Sequence, residues 1–89
     1  MIFITLAKFK VKPTKKTEAA GDKLFTKVTK DYGIKFLDIY WTLGRYDGVA
    51  IIEAADEKSY MKAIQKLGNI LSTETLVALK REDALKFLE

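Results

Sequence analysis

The central stretch of the chain, from Ile34 to Ala54, is apolar at both its odd and its even positions. Successive side chains of a β-strand point to opposite faces of the sheet, so a strand with one solvated face alternates apolar and polar residues. This stretch does not alternate, and a turn-like segment from Gly44 to Gly48 interrupts it near its middle. The pattern therefore predicts two strands joined by a turn, with apolar side chains on both faces of their sheet.

The flanking sequence predicts two further strands and three helices. Pro13 ends the first strand, because proline cannot donate to a β-ladder. An apolar residue at every fourth position from Ala20 to Tyr32 predicts one buried helix face, and Gly33 suits the position just past the helix end. Asp56 is typical of the residue that caps a helix start. The expected elements are a strand near 2–9, a helix from 14 or 15 to 32, a helix near 56–68, a strand near 70–79 and a helix near 81–88.

The resulting order, β-α-β-β-α-β with a C-terminal helix, is the ferredoxin-like α+β pattern with a four-stranded antiparallel sheet. At 89 residues, the chain is expected to form one domain over residues 1–89. Right-handed crossovers place both main helices on one face of the sheet. The other face would keep apolar residues, so we expect a second copy of the chain to cover it. The predicted assembly is a face-to-face homodimer with a shared interior, or a higher oligomer built from it.

The sequence contains no cysteine and no histidine. This excludes Ser-His-Asp and Cys-His catalytic sets as well as the ordinary ligand sets of zinc, haem and iron–sulfur clusters. No glycine-rich phosphate loop precedes a helix. We therefore expect no metal site and no cofactor.

The chain is basic, with a net charge of +4 and an isoelectric point near 9.3. The excess is concentrated near the N-terminus, in Lys8, Lys10, Lys12, Lys15 and Lys16. Such a patch can attract an anionic partner, or it can be a solvated strand end and helix entry. RNA-recognition domains share this element order but need aromatic residues on the third strand, and residues 47–53 have none. We therefore expect no nucleic-acid partner.

No apolar stretch approaches the roughly 20 residues needed to cross a bilayer. The N-terminal apolar run has neither the preceding basic segment nor the cleavage site of a signal peptide. We therefore expect no membrane association and a cytoplasmic location.

Two separated motifs carry a resemblance to a known family. The first runs from Trp41 to Asp47 and continues through Val49–Ala54 and Asp56-Glu57; the second comprises Leu67-Gly68-Asn69 and Thr73-Glu74-Thr75-Leu76. This pattern resembles the GYD-domain family, whose signature Gly, Tyr and Asp correspond to Gly44, Tyr46 and Asp47. The resemblance implies a dimeric α/β barrel and no established activity. That superfamily includes cofactor-independent monooxygenases, ligand-sensing domains and haem-dependent enzymes, so the fold alone does not settle function.

Six side chains are candidates for contacting a small ligand in or beside the shared interior: Tyr40, Arg45, Tyr46, Asp47, Thr73 and Thr75. The guanidinium fork of Arg45 suits a carboxylate or phosphate. In the alternative, structural interpretation, Gly44 supplies a positive φ angle, Asp47 caps free amides of the turn, and the two threonines are ordinary strand residues.

Three further residues of the hairpin have expected roles. Trp41 shares a strand face with Leu37 and Ile39 and is expected to belong to the core. Asp38 and Glu53 would lie opposite or diagonal to one another, and repulsion between two carboxylates can raise the pKa of one of them for acid–base work. No catalytic residue is identified.

Three functional hypotheses follow. The leading one is a homodimer that binds a small polar or anionic ligand in or beside the shared interior. The second is a cofactor-independent monooxygenase or isomerase that acts on a hydrophobic aromatic substrate. The third is a structural dimer without a ligand.

Overall fold

Four strands and three helices make up the computed structural model, which describes residues 1–88. The strands are β1 (Ile2–Phe9), β2 (Lys35–Trp41), β3 (Gly48–Glu53) and β4 (Leu71–Ala78). The helices are α1 (Lys15–Tyr32), α2 (Glu57–Lys66) and α3 (Arg81–Leu85). The strands form one antiparallel sheet in the order β2-β3-β1-β4. This confirms the predicted ferredoxin-like fold.

The helix ends follow the signals in the sequence. At the start of α1, Thr14 and Thr17 form a reciprocal capping box, and Gly33 beyond its end has the left-handed φ of 64°. At the start of α2, the carboxylate of Asp56 accepts a hydrogen bond from the Ser59 amide at 2.8 Å. None of the helices within residues 1–88 is both long enough and apolar enough to cross a membrane.

The hydrophobic core lies between the two long helices and one face of the sheet, which we call the helix face. Phe3 and Ile52, neighbours on β1 and β3, are almost fully buried there. The Phe3 ring stacks on the Tyr60 ring of α2, with 4.7 Å between the ring centroids. The buried hydrophobic residues are Phe3, Val28, Ile34, Ile52, Ala54, Tyr60, Ala63 and Leu67. Both long helices therefore pack on the same face, as their right-handed connections require.

The opposite side of the sheet, which we call the open face, carries the residues that alternate with Phe3 and Ile52. Its two central rows follow from the strand register: Asp38, Ile51, Ile4 and Leu76 form one, and Tyr40, Val49, Leu6 and Glu74 form the other. Leu76 is 49% and Tyr40 is 56% exposed. The open face is thus apolar in its middle and incompletely covered by the chain itself.

A β-bulge in β2 changes which of its residues face the helices. The register with β3 shifts between Phe36 and Asp38, so that Phe36 pairs with Ile52 and Ile39 pairs with Ala50. An even and an odd position of β2 therefore lie on the same face. Trp41 also lies on the helix face, opposite Gly48, but its side chain is 62% exposed. The expectation that Trp41 belongs to the core is wrong for this chain, because β2 is an edge strand with a single neighbouring strand.

The loop between β2 and β3 is held against the end of β1 by Asp47. The Asp47 amide donates to the Ala7 carbonyl at 2.8 Å, and the Asp47 Oδ2 atom accepts from the Phe9 amide at 2.8 Å. Gly44 supplies the turn with a φ of 104°, a region that favours glycine. Gly44 therefore has the positive φ expected of it, and the Asp47 carboxylate caps a free amide, although that amide belongs to Phe9 on β1 and not to the turn itself.

The Asp47→Ala substitution removes the acceptor for the Phe9 amide, which is partly buried. Hydrogen bonds to charged groups contribute about 2 kcal/mol, so we expect the free energy of unfolding to fall by about that amount. Asp47→Asn is the matched control, since its carbonyl oxygen still accepts a hydrogen bond. Its free energy of unfolding should fall by no more than half as much as that of Asp47→Ala. Urea unfolding at fixed protein concentration measures the change, and amide hydrogen exchange at Phe9 locates it. An alanine variant as stable as the parent, with Phe9 still protected, would show that this contact does not hold the loop.

Candidate functional site

A cleft of about 110 Å³ lies between the helix face of the sheet and the helices. Its walls are formed by the first half of α1, by one side of α2 and by the segment before β4. Its sheet side comes from the ends of β1, β2 and β3 near the β2–β3 loop. The cleft is therefore continuous with the core but open at one end.

The cleft exists because the two central strands carry small residues beneath it. Ala7 is paired with Gly48, and Thr5 is paired with Ala50, on neighbouring strands. All four residues line the cleft. A protein interior is normally filled to the density of an organic crystal, so short side chains facing a helix layer leave space unless a large neighbour fills it. We call these four residues the cleft floor.

Aromatic rings surround the cleft floor. Phe9 and Trp41 meet edge to face with their ring centroids 5.2 Å apart, and Phe25 and Phe36 meet at 5.6 Å. All four line the cleft. Trp41 is the only tryptophan of the chain, so its fluorescence reports on this site alone. Such walls suit the flat faces of an apolar molecule, because aromatic pairs gain both buried area and favourable ring geometry.

The polar groups of the cleft floor are hydroxyls. Thr5 Oγ1 lies 2.5 Å from the Tyr60 hydroxyl and 2.9 Å from Thr75 Oγ1. Burial raises the pKa of Tyr60 above the ordinary value of a tyrosine, although the neighbouring hydroxyls of Thr5 and Thr75 oppose this. The Tyr60 phenol is therefore neutral at physiological pH, and the cleft floor can donate and accept hydrogen bonds without carrying a charge.

A second cluster of polar side chains lies at the edge of the open face. The Tyr46 hydroxyl donates to Glu74 Oε2 at 2.5 Å, and this hydrogen bond raises the pKa of Tyr46. The cationic groups of Lys8 and Arg45 lie 5.8 and 5.9 Å from the centroid of the Tyr46 ring, within the range of cation–π attraction. Lys8 and Arg45 are exposed. This cluster ties the β2–β3 loop to β4.

The six residues predicted to contact a ligand do not meet at one place. Tyr40 points to the open face, and Arg45 and Tyr46 lie near its edge. Thr73 and Thr75 point to the helix face, opposite Ala7 and Thr5. Residues Tyr40 and Thr73 contribute to the lining of the cleft. The carboxylate of Asp47 is engaged by the Phe9 amide.

Other parts of the cleft were not anticipated from the sequence. Thr5, Ala7, Ala50 and Tyr60 look like ordinary core residues, and their roles depend on contacts between distant segments. The sequence does contain one relevant signal, which is residue size. The positions of β1 and β3 that face the helices near the cleft hold the small residues Ala7, Gly48 and Ala50. Asp38 and Glu53 are diagonal and not directly opposite, because Asp38 pairs with Ile51 and Glu53 lies two residues further along β3, where it pairs with Lys35. Among residues 1–88, no three acidic side chains lie close enough together to hold a metal ion.

Solved structures that match this chain share little of its sequence. The crystal structure of FFRP-DM1 is 20% identical, with a TM-score of 0.55, and the alignment covers 89% of this chain and 100% of that one. SnoaB, a cofactor-independent oxygenase from Streptomyces nogalater, is 14% identical with a TM-score of 0.43 and coverages of 90% and 93%. CutA1 from Pyrococcus horikoshii is 16% identical with a TM-score of 0.44 and coverages of 99% and 94%. At such low identity, the likeness to FFRP-DM1 supports the fold alone.

The family is shown by a match to the sequence itself. No curated protein is similar enough to count as a relative. The model of the GYD domain, in contrast, matches residues 1–88, which is nearly the whole chain. This agrees with the two motifs around Gly44 and Thr73 and with the observed element order. The chain therefore belongs to the GYD-domain family.

Proposed function

We propose that this chain works as a homodimer in which each copy binds a small, mainly apolar molecule in the cleft between its sheet and its helices. The observation that carries this proposal is the cleft itself, which has a floor of small residues, walls of aromatic rings and one open end. Binding sites for small molecules are typically concave and mostly apolar, with a few polar groups that fix orientation. The hydroxyls of Thr5 and Tyr60 supply such groups here.

The size of the cleft sets the scale of the ligand. An engineered apolar cavity of about 150 Å³ holds a benzene molecule. At about 110 Å³ with an open end, this cleft matches one six-membered ring whose substituents can extend toward solvent. The sequence had suggested a polar or anionic ligand, but the cleft wall contains no lysine and no arginine among residues 1–88. An apolar ligand fits these walls better.

The distribution of apolar and charged residues on the open face supports the proposed homodimer. Its two central rows contribute Ile4, Leu6, Val49, Ile51 and Leu76, while charged residues such as Lys8 and Glu53 lie toward its ends. An apolar centre with a charged rim is the usual anatomy of a protein interface. Such a dimer would place Tyr40, Arg45 and Tyr46 around the shared interior, where the polar or anionic ligand was expected. The cleft is the better supported ligand site because a single chain already walls it on several sides.

Filling the cleft should abolish binding. Ala50 belongs to the cleft floor, and the side chain of an Ala50→Leu variant would occupy the space of the ligand. We expect acetophenone, a neutral single-ring probe, to bind the parent protein at millimolar concentration and to shift the amide resonances of Thr5 and Ala7. In Ala50→Leu, affinity should fall at least about tenfold, or 1.4 kcal/mol. Because the added atoms fill existing space, thermal stability should not fall in parallel.

The matched control for this experiment is Ala55→Leu, which makes the same change at an exposed position outside the cleft. It should bind acetophenone like the parent. Equal binding by both leucine variants would show that the cleft is not the site, and no binding by the parent would refute the proposed ligand class.

The homodimer is tested by a charge placed on the open face. In a dimer joined through this face, Ile4→Lys would bury an ammonium group at the interface, which is strongly unfavourable because its strand neighbours Ile51 and Leu76 offer no charge to pair with it. Sedimentation equilibrium at micromolar concentration should give twice the 10.1 kDa chain mass for the parent and a single chain mass for the variant. Met61→Lys, on the exposed side of α2, is the control and should stay dimeric. A parent protein that sediments as a monomer would contradict the proposal.

A further inference from the structure

The hydroxyl groups beneath the cleft have one hydrogen more than their mutual bonds use. Tyr60, Thr5 and Thr75 each carry one hydroxyl hydrogen, and two hydrogen bonds join the three oxygens. Whichever way the two bonds are oriented, one hydrogen is left to donate elsewhere. Within residues 1–88, the hydroxyls of Thr5 and Tyr60 have no other hydrogen-bond partner. The chain of hydroxyls therefore has a donor to offer.

The position of this donor is restricted by burial. Thr5 is 4% and Tyr60 is 3% exposed, and both line the cleft, whereas Thr75 does not. Two of the three possible orientations leave the free hydrogen on Thr5 or Tyr60, where only a molecule inside the cleft can accept it. An acceptor atom in the cleft selects those orientations, because a buried donor without a partner is unfavourable.

The charges around the cleft restrict the ligand further. Its lining contains no cationic side chain among residues 1–88, so an anion would lose its hydration without compensation. The one acidic residue in the lining, Glu18, lies in the first turn of α1 and is partly exposed. Tyr60 does not supply a negative charge, since burial raises its pKa. The deep part of the cleft is therefore suited to an uncharged molecule.

From these observations we infer that the ligand is an uncharged molecule with one aromatic ring and a hydrogen-bond acceptor, such as a ketone oxygen. This acceptor takes the one free hydrogen, from the hydroxyl of Thr5 or from that of Tyr60 beside it. This inference rests on the proposed function, because it specifies the ligand of the same cleft. It adds that selection among apolar molecules depends on one donated hydrogen bond.

The test compares two probes of nearly the same shape. Acetophenone carries a C=O group where α-methylstyrene carries a C=CH₂ group, so only acetophenone can accept the hydrogen bond. Binding is followed by Trp41 emission and by amide shifts at Ala7 and Ala50. The parent protein should bind acetophenone about fivefold to tenfold more tightly than α-methylstyrene, the usual value of one neutral hydrogen bond. Benzoate, the anionic analogue, should produce no shift at the cleft floor.

The number of free hydroxyl hydrogens also predicts which variants keep the preference for acetophenone. Tyr60→Phe still leaves one free hydrogen on the Thr5–Thr75 pair, and Thr5→Val leaves the hydrogen of Tyr60. Each single variant should therefore keep most of the preference for acetophenone. The double variant Thr5→Val/Tyr60→Phe removes both of the buried hydroxyls that line the cleft, and its preference should disappear. Replacing both partners by apolar groups of similar shape is compatible with folding.

The controls separate failure of the inference from failure of the proposed function. Thr26→Val removes an exposed hydroxyl of α1 that lies outside both the cleft and the hydrogen-bonded chain, so its preference should match that of the parent. Unchanged binding of α-methylstyrene by the double variant shows that its cleft is intact. If both probes bind the parent equally, or if the double variant keeps the preference, the inference is wrong, but the cleft is still the ligand site. If neither probe binds the parent, the proposed ligand site fails and the inference fails with it.

Discussion

The pairing of β1 with β3 on one side and β4 on the other is the constraint on which the whole structure depends. Both neighbouring strands are held in register with β1. Each β1 side chain therefore points to the same face of the sheet as its partners on β3 and β4. Phe3 and its row face the helices and form the core, whereas Ile4 and Leu6 mark the open face. The residues at the end of β1 determine both the cleft and its neighbouring loop, since Thr5 and Ala7 belong to the cleft floor and the Phe9 amide binds Asp47.

The helix face combines two requirements that oppose each other. Large residues at one end, such as Phe3 and Ile52, are closely packed and hold the two layers together. Small residues at the other end, Ala7, Gly48 and Ala50, leave a cleft and forgo part of the hydrophobic stabilisation that larger side chains would contribute. A chain of 89 residues has little surplus stability. Association through the open face would supply additional burial, which links the proposed homodimer to the ability of each copy to keep a cleft open.

Much of the fold was predictable because its signals are local. The start of α1, the left-handed position at Gly33, the cap at Asp56 and the turn at Gly44 all depend on residues a few positions apart. The candidate site was less predictable. Its motif residues divide between the open face and the helix face, and the Asp47 carboxylate binds a backbone amide. Trp41 was expected in the core, but the edge position of β2 leaves its ring at the open end of the cleft.

The order of the elements, their approximate limits, their caps and the apolar character of both sheet faces can therefore be read from the amino-acid sequence alone. These features follow from side-chain periodicity and backbone preference, which act over a few residues. The faces that the β2 residues occupy depend instead on tertiary contacts, because the bulge before Asp38 is defined by pairing with β3. The tertiary structure also joins Thr5 to Tyr60 and Thr75, which lie 55 and 70 positions away in the chain. Hydroxyls at such separations meet only when strand register and helix packing bring them together, and no local pattern encodes that contact.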